Sequence, residues 1–436
     1  MYLNGLIVMP TKKITRRALI KGGIGLAALG TIAWLRPTDE GAAHSTYFRK
    51  LSEALHHKHY ARPTLVIDKN KLIENIETLK AHIYPHYQYR IVAKSLPSIP
   101  LLKLVSEISE SKRFMLFNEQ FLIQVSQEIP SADILMGKPM PVEAARFFYQ
   151  NKRQSEFSPQ DQLQWLIDTP TRLLQYQQLA QQTGQAMRIN IELDVGLHRG
   201  GIKHDNELIE MIKTIESEPL FTLSGLMGYE PHVVKLPGSA QGHLNAALDI
   251  YRQKIKVVES VLGKPLTEGF CLNTGGSPSY QLHTQTPFIE SSPCNELSAG
   301  SCLVKPMDFD IASLADHQAA SYIATPVLKH LSQTEIPGVD GLGSLMSWWN
   351  PNLKQSFFTY GGYWKANPIS PPGLRINPVY GRSTNQEMLN GSRSIPLKID
   401  DWVFLRPTQS EFVFLQFGNI AVYDNGSILE QWPVFS

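Results

Sequence analysis

The stretch YRIVAKSLPS, Tyr89–Ser98, decides how the chain is read. It is a short, largely apolar run that ends on a lysine and then breaks at Pro97. Alternation along a strand puts Lys94 on the same face as Val92, so a charge emerges at the end of an apolar row. A single strand-end lysine is usually a surface residue whose stem lies along apolar neighbours. Its meaning therefore depends on what surrounds it.

Working outward, similar runs recur with helical patterns between most of them. Before it come RPTLVID (Arg62–Asp68) and NKLIENIETLKAH, in which Leu72, Ile73, Ile76 and Leu79 share a helical face and Asn70 is the expected N-cap. After it come RFMLF (113–117), DILMG (133–137), QWLID (164–168), RINIELD (188–194), LSGLMGY (223–229) and GFCLNTGG (269–276). With Arg62–Asp68 taken as the first strand, these make eight runs of the kind buried on both faces. The pattern predicts an α/β fold, a (β/α)8 TIM-type barrel. On pattern alone an open, doubly wound sheet is the alternative.

Beyond about residue 316 the character changes. A Gly-, Pro- and Asn-rich region leads into DWVFLRP, EFVFLQF and IAVYDNGSILEQWPVF, which alternate at period two around the tight-turn pair Asn425-Gly426. The expected organisation is a leader over 1–45, a linker or N-terminal strand joining the β domain over 46–61, the barrel over 62–315 and a mostly β C-terminal domain over 316–436. The net charge of +2 over 436 residues lacks the basic excess of a nucleic-acid-binding surface. Cys271, Cys294 and Cys302 show no CxxC spacing, so buried thiols are expected. A Cys294–Cys302 bridge is the alternative if the chain is exported.

Export is what the N-terminus suggests. Residues 1–21 carry Lys12, Lys13, Arg16, Arg17 and Lys21 and no acid, and Gly22–Leu35 follows without charge. Gly41-Ala42-Ala43 supplies small residues for cleavage. TRRALIK (Thr15–Lys21) resembles the twin-arginine motif, an ordinary secretory signal being the alternative. The expectation is a periplasmic protein moved by the twin-arginine machinery, or one held at the inner membrane by an uncleaved signal.

The company that Lys94 needs appears at the ends of later strands. IELDVGLHRGGI places Asp194, His198 and Arg199 after the sixth run, and GLMGYEPH places Tyr229, Glu230 and His232 after the seventh. LNTGGSPSY follows the eighth, with Gly275 and Gly276 able to present backbone N–H groups to an anion. In a barrel these ends form the active-site face, and phosphate sites favour the loops after strands seven and eight.

With RIVAKS, IELDVGLHRGGI, GLMGYEPH, NTGGSPSY and NELSAGSCLVKPMD in this order, residues 62 to about 308 resemble the fold-type III pyridoxal-phosphate enzymes, the alanine-racemase-like barrels. Within them the chain is most similar to the D-threonine aldolase and D-serine dehydratase group. The resemblance implies pyridoxal 5'-phosphate as cofactor and Lys94 as the Schiff-base lysine. It implies that Arg199 contacts the cofactor ring and that Tyr229 lines its substrate side. Asn273, Gly275, Gly276, Ser277, Gly300 and Ser301 would complete cofactor binding, the glycines and serines at the phosphate. An amino acid is then the small-molecule substrate, and a homodimer with the active site near its interface is the expected assembly.

One part of the family pattern is missing. Where the aldolase and dehydratase group has PSHxC or PSHxD, with two metal ligands two residues apart, this chain reads RPTQSEF. Gln409 and Glu411 stand at the ligand positions. They would suit a hard divalent ion if any, or would hydrogen-bond substrate directly, with Glu411 as general base. His232, Gln386 and Glu387 are further substrate-site candidates. The leading reading is a lyase cleaving or dehydrating a D-amino acid with a β-hydroxyl. The rivals are an amino-acid racemase, with Tyr360 or Tyr363 as second acid–base group, and a non-catalytic cofactor-binding protein.

Overall fold

In a computed structural model, residues 36–435 are described, apart from 153–154, 286–287, 336–337 and 340. Among them, eight parallel strands close a barrel and nine further strands form a separate sheet. The leader motif and the charge-free run 22–35 lie outside the described residues. No described helix is long and apolar enough to cross a membrane.

The barrel and the β domain are as expected, but the barrel's membership differs by one strand. β1 (Thr64–Asp68) does not open the barrel. It pairs antiparallel with β10 (Ser321–Leu331) and parallel with β16 (Asn419–Asp424), inside the second sheet. The barrel runs from β2 (Gln88–Val92) through β3 (Arg113–Leu116), β4 (Asp133–Met136), β5 (Leu163–Ile167), β6 (Met187–Glu192), β7 (Phe221–Met227) and β8 (Cys271–Thr274) to β9 (Glu296–Ala299). Pairing of β9 with β2 closes it, with Gln88 opposite Glu296 and Arg90 opposite Ser298.

Both differences have a physical cause. Leu65 and Ile67 of β1 join the main core while Val66 joins a second cluster with Tyr322, Trp402 and Phe404. A strand buried on both faces looks the same in either sheet. β9 lacks an apolar signature because Glu296 and Ser298 point into a polar layer. Buried Arg90 donates to Glu296 Oε1 at 2.5 Å and to Asp133 Oδ1 at 2.8 Å, and Asn273 donates to Glu296 Oε1 at 2.7 Å. A fully enclosed charge is tolerable because its hydrogen bonds are made.

The remaining sheet strands are β11 (Gln355–Tyr360), β12 (Ala366–Ser370), β13 (Arg375–Ile376), β14 (Gln386–Gly391), β15 (Trp402–Pro407) and β17 (Ser427–Pro433). The segment after the leader is neither linker nor strand: Thr46–His57 is a helix, capped by Ser45, that buries Leu51, Ala54 and Leu55 on the sheet. Its His56, His57 and the following His59 are exposed. The helix Lys69–Ile83 is capped by Asp68, whose side chain accepts from the Lys71 N–H at 3.1 Å, and not by Asn70. The three cysteines are buried free thiols, so the bridge does not form, and burial pushes Cys302 up to about 12.

Candidate active site

The strand ends of the barrel surround an open cavity at its C-terminal face. Val92, Met115, Leu135, Leu166, Met227 and Cys271 pack as its apolar floor, with Phe117 and Tyr229 against them. Lys94 lies two residues beyond the end of β2, in the short 3-10 segment Ala93–Ser95. Its Nζ stands 4.7 Å from the centre of the Phe117 ring and 2.8 Å from Glu411 Oε1. Glu411 comes from the C-terminal domain, so the two domains meet at this ion pair.

Opposite the lysine lies a glycine cradle. Gly275 has φ +84°, a conformation costly for any residue with a Cβ. A Cβ on Gly276 would come within 2.9 Å of Tyr229 Cε2, and one on Gly300 within 2.6 Å of the Val92 carbonyl oxygen. Ser277 Oγ accepts from the Gly300 and Cys302 N–H groups at 3.1 and 3.0 Å, which ties the turn after β8 to the turn after β9. Ser95 and Ser301 share a hydrogen bond of 2.8 Å across the same edge. Gly276 and Gly300 thus let these turns lie closer to the Tyr229 ring and the Val92 backbone than a side chain would allow.

Beneath the cradle is Glu230, buried at 1 % exposure. Its Oε2 accepts from Thr274 Oγ1 at 2.7 Å and from the Gly275 N–H at 3.3 Å; its Oε1 accepts from Ser279 Oγ at 2.7 Å and from His283 Nε2 at 3.0 Å. Burial pushes this carboxyl up, but the hydrogen bonds and field of His283, with Thr274 and Ser279, outweigh it and hold Glu230 at about 2. A permanent anion therefore braces the turn. The sequence contained its signal, the acid in GLMGYEPH, without showing that it points inward.

Arg199 lies over the Tyr229 ring, 5.0 Å from its centre, and burial raises the Tyr229 phenol with Arg199 opposing. The loop carrying Arg199 is set by Asp194, whose carboxylate accepts from the Gly196 and His198 N–H groups and pairs with His198 Nδ1 at 2.7 Å. Burial works against the Asp194 charge, yet these bonds hold it below the usual carboxylate range. That leaves His198, a non-glycine residue, at φ +55°.

Lys94, Arg199, Tyr229, Gly275, Gly276, Ser277, Gly300, Ser301 and Glu411 all line this one cavity. Five candidates do not. Asn273 sits in the polar layer inside the barrel, bonded to Glu296 and Ser298. His232 packs beside Gly196, its Nε2 3.3 Å from where a Cβ would stand. Gln386 and Glu387 belong to β14, where buried Glu387 is ion-paired with Arg382 and accepts from the Tyr363 N–H at 2.9 Å. Gln409 is exposed. β15 ends at Pro407 and the chain turns into the short helix Glu411–Phe414, so the two-residue spacing no longer shares a face and the pair does not assemble as a metal site. Among the described residues no three His, Cys, Asp or Glu side chains are grouped to hold a metal. Tyr360 and Tyr363 are exposed and do not line the cavity.

The fold has counterparts among solved structures. D-threonine aldolase from Filomicrobium marinum superimposes with TM-score 0.66 at 14% identity, covering 86% of this chain and 98% of its own. D-threo-3-hydroxyaspartate dehydratase from Delftia sp. HT23 gives 0.65 at 14% identity over 86% and 98%. Alanine racemase of Clostridium difficile 630 gives 0.62 at 15% identity over 85% and 98%. No curated protein matches the sequence. The sequence model described as "Alanine racemase, N-terminal domain" matches residues 67–304. Covering more than half of the chain, and the site residues from Lys94 to Ser301, that match shows that the protein belongs to the alanine racemase N-terminal domain family, the barrels of the fold-type III pyridoxal-phosphate enzymes.

Proposed function

We propose that the protein is a pyridoxal-phosphate-dependent lyase acting on a D-amino acid with a β-hydroxyl, and that Glu411 does the acid–base work at that hydroxyl. The observation carrying this reading is the 2.8 Å contact between Lys94 Nζ and Glu411 Oε1 inside the cavity. The residues fit the cofactor: Lys94 would hold its aldehyde carbon, the cradle of Gly275, Gly276, Ser277, Gly300 and Ser301 its phosphate, and Arg199 with Tyr229 its ring. When bound, the cofactor draws electrons from the bonds at an amino acid's Cα.

The chain's own groups then decide which bond breaks. Glu411 accepts the proton of the β-hydroxyl as the Cα–Cβ bond cleaves, or gives a proton to that oxygen as it leaves in dehydration. Lys94, whose amine stands at the cavity floor beside Phe117, would hold and deliver the proton at Cα. Met115, Phe117 and Met227 line the floor and exclude water from that side. No step is assigned to a metal, since Gln409 and Glu411 are not brought together.

The same reading includes a homodimer. Phe412, next in the chain to Glu411, is 66 % exposed, an apolar surface at the cavity's edge that a second copy would cover. It also includes twin-arginine export after folding and cofactor loading, supported by Arg16-Arg17 and the charge-free run that follows.

The test is a screen of D- and L-β-hydroxy amino acids with cofactor present, read by mass spectrometry. Aldehyde plus glycine, or keto acid plus ammonia, is the expected product set. Mirror-image amino acid alone would replace the lyase with a racemase, and no turnover of any amino acid would leave only cofactor binding.

A further inference from the structure

The small residues expected to serve as a cleavage site, Gly41-Ala42-Ala43, are part of the folded C-terminal domain. Upstream, buried Asn352 holds the strap from both sides: its Nδ2 donates to the Thr38 carbonyl at 2.7 Å and its Oδ1 accepts from the Glu40 N–H at 2.9 Å. Ser394 Oγ donates to Asp39 at 2.8 Å, and Glu40 is ion-paired with Arg375. The backbone at Glu40 lies so close to Gly373 that a Cβ there would come within 2.6 Å of its carbonyl oxygen. Downstream, the Ala42 N–H donates to Pro372 O, and His44 bonds Ser370 Oγ at 2.8 Å and Trp402 O at 3.1 Å. Ala42 and Ala43 are exposed, but a peptidase must bind the scissile segment as free extended chain. Here that means lifting residues 38–44 off the sheet together.

At the start of the strap, Arg36 donates to the carbonyl oxygens of Trp348 and Trp349 at 2.9 and 3.2 Å, with its guanidinium 6.0 Å from the Trp348 ring. These carbonyls end the helix Leu342–Trp349, which carries no charged residue. Its Leu342, Leu345 and Trp348 are 37 %, 60 % and 64 % exposed, and their spacing of three puts them on one face. The described chain therefore begins, at Arg36, at the end of an apolar stripe that is exposed among the described residues. The charge-free run Gly22–Leu35 is 14 residues, short of the roughly 20 that a spanning helix needs. A short anchor gains from a second apolar attachment, and tryptophan is suited to the lipid–water interface.

We propose that the leader is retained after export and that the Leu342–Trp349 face rests on the same bilayer, making the enzyme a membrane-surface protein whose occupant at this stripe is lipid. This rests on the export reading and is independent of the reaction catalysed. A folded domain carried across the membrane arrives with its strap already docked, which is why cleavage fails.

The test uses the full-length chain produced in a bacterium with a twin-arginine system. Intact mass should show Met1 or its immediate successors retained, with the protein in the membrane fraction after a carbonate wash. Protein beginning at or after Ala43 in the soluble periplasm overturns the proposal. The stripe is read separately, on purified full-length chain bound to phosphatidylethanolamine–phosphatidylglycerol vesicles with brominated acyl chains. Trp348→Phe should remove part of the tryptophan quenching, and Leu345→Ser with Trp348→Ser should weaken vesicle partitioning on the order of tenfold with turnover unchanged. Quenching unaltered by Trp348→Phe, or loss of self-association in the double variant without loss of partitioning, overturns the lipid assignment. Replacing Arg16-Arg17 by Lys-Lys tests export by itself: cytoplasmic retention upholds it, and unchanged export sinks that premise alone.

Discussion

Replacing Glu230 by Gln tests whether the cradle is braced by a buried anion. Glu230→Gln keeps the shape, removes the charge and sets an amide N–H₂ against groups that only donate, such as the Gly275 N–H. The carboxyl is held at about 2 against an ordinary 4.5, a difference equivalent to about 3 kcal/mol of stability. Because the folded value is the depressed one, this contribution is complete above the unfolded pKa. It is lost as pH falls from about 4.5 toward 2, with about 2 kcal/mol gone by pH 3. Urea unfolding of cofactor-free wild type and variant, from pH 7 down to pH 3, is the measurement. The wild-type advantage should be largest at neutral pH and shrink on acidification, while cofactor affinity in the variant drops on the order of tenfold as the turn loosens. A difference between the two proteins that does not vary with pH would refute the reasoning.

Three further outcomes follow from the same geometry. Lys94→Ala should lose the cofactor's visible absorbance and all turnover, measured by spectrophotometry and product assay; retention of both would remove the lysine from its assigned place. Glu411→Gln should retain the cofactor but lower kcat by roughly 10²–10⁴, the range for a positioned acid–base group, and equal kcat would leave the β-hydroxyl without its partner. Gly300→Ala meets the Val92 backbone whereas Gly276→Ala meets the movable Tyr229 ring. The first should therefore cost both thermal stability and cofactor binding, the second mainly cofactor affinity, as separated by thermal melts and cofactor titration.

The sequence by itself determined the barrel, the β domain that follows and the order of rim residues from Lys94 to Gly276. Those features are local: apolar runs with helical patterns between them, and motifs that fall just past strand ends. It did not determine which strands belong together. β1 and a true barrel strand carry the same apolar pattern, and β9 hides its membership because Glu296 and Ser298 satisfy Arg90 and Asn273 inside the barrel. Nor could spacing locate Gln409. A two-residue interval shares a face only while the chain stays extended, and here it turns at Ser410.

What only the tertiary structure decided lies between segments far apart in sequence. Glu411 reaches Lys94 across 317 positions of chain, the Glu230 carboxylate locks a turn 45 residues later, and Asn352 holds Thr38 and Glu40. Propensity and periodicity report on a residue's neighbours along the chain. Which buried donor meets which acceptor is settled only when the core has excluded water and each polar group must find its partner within the protein.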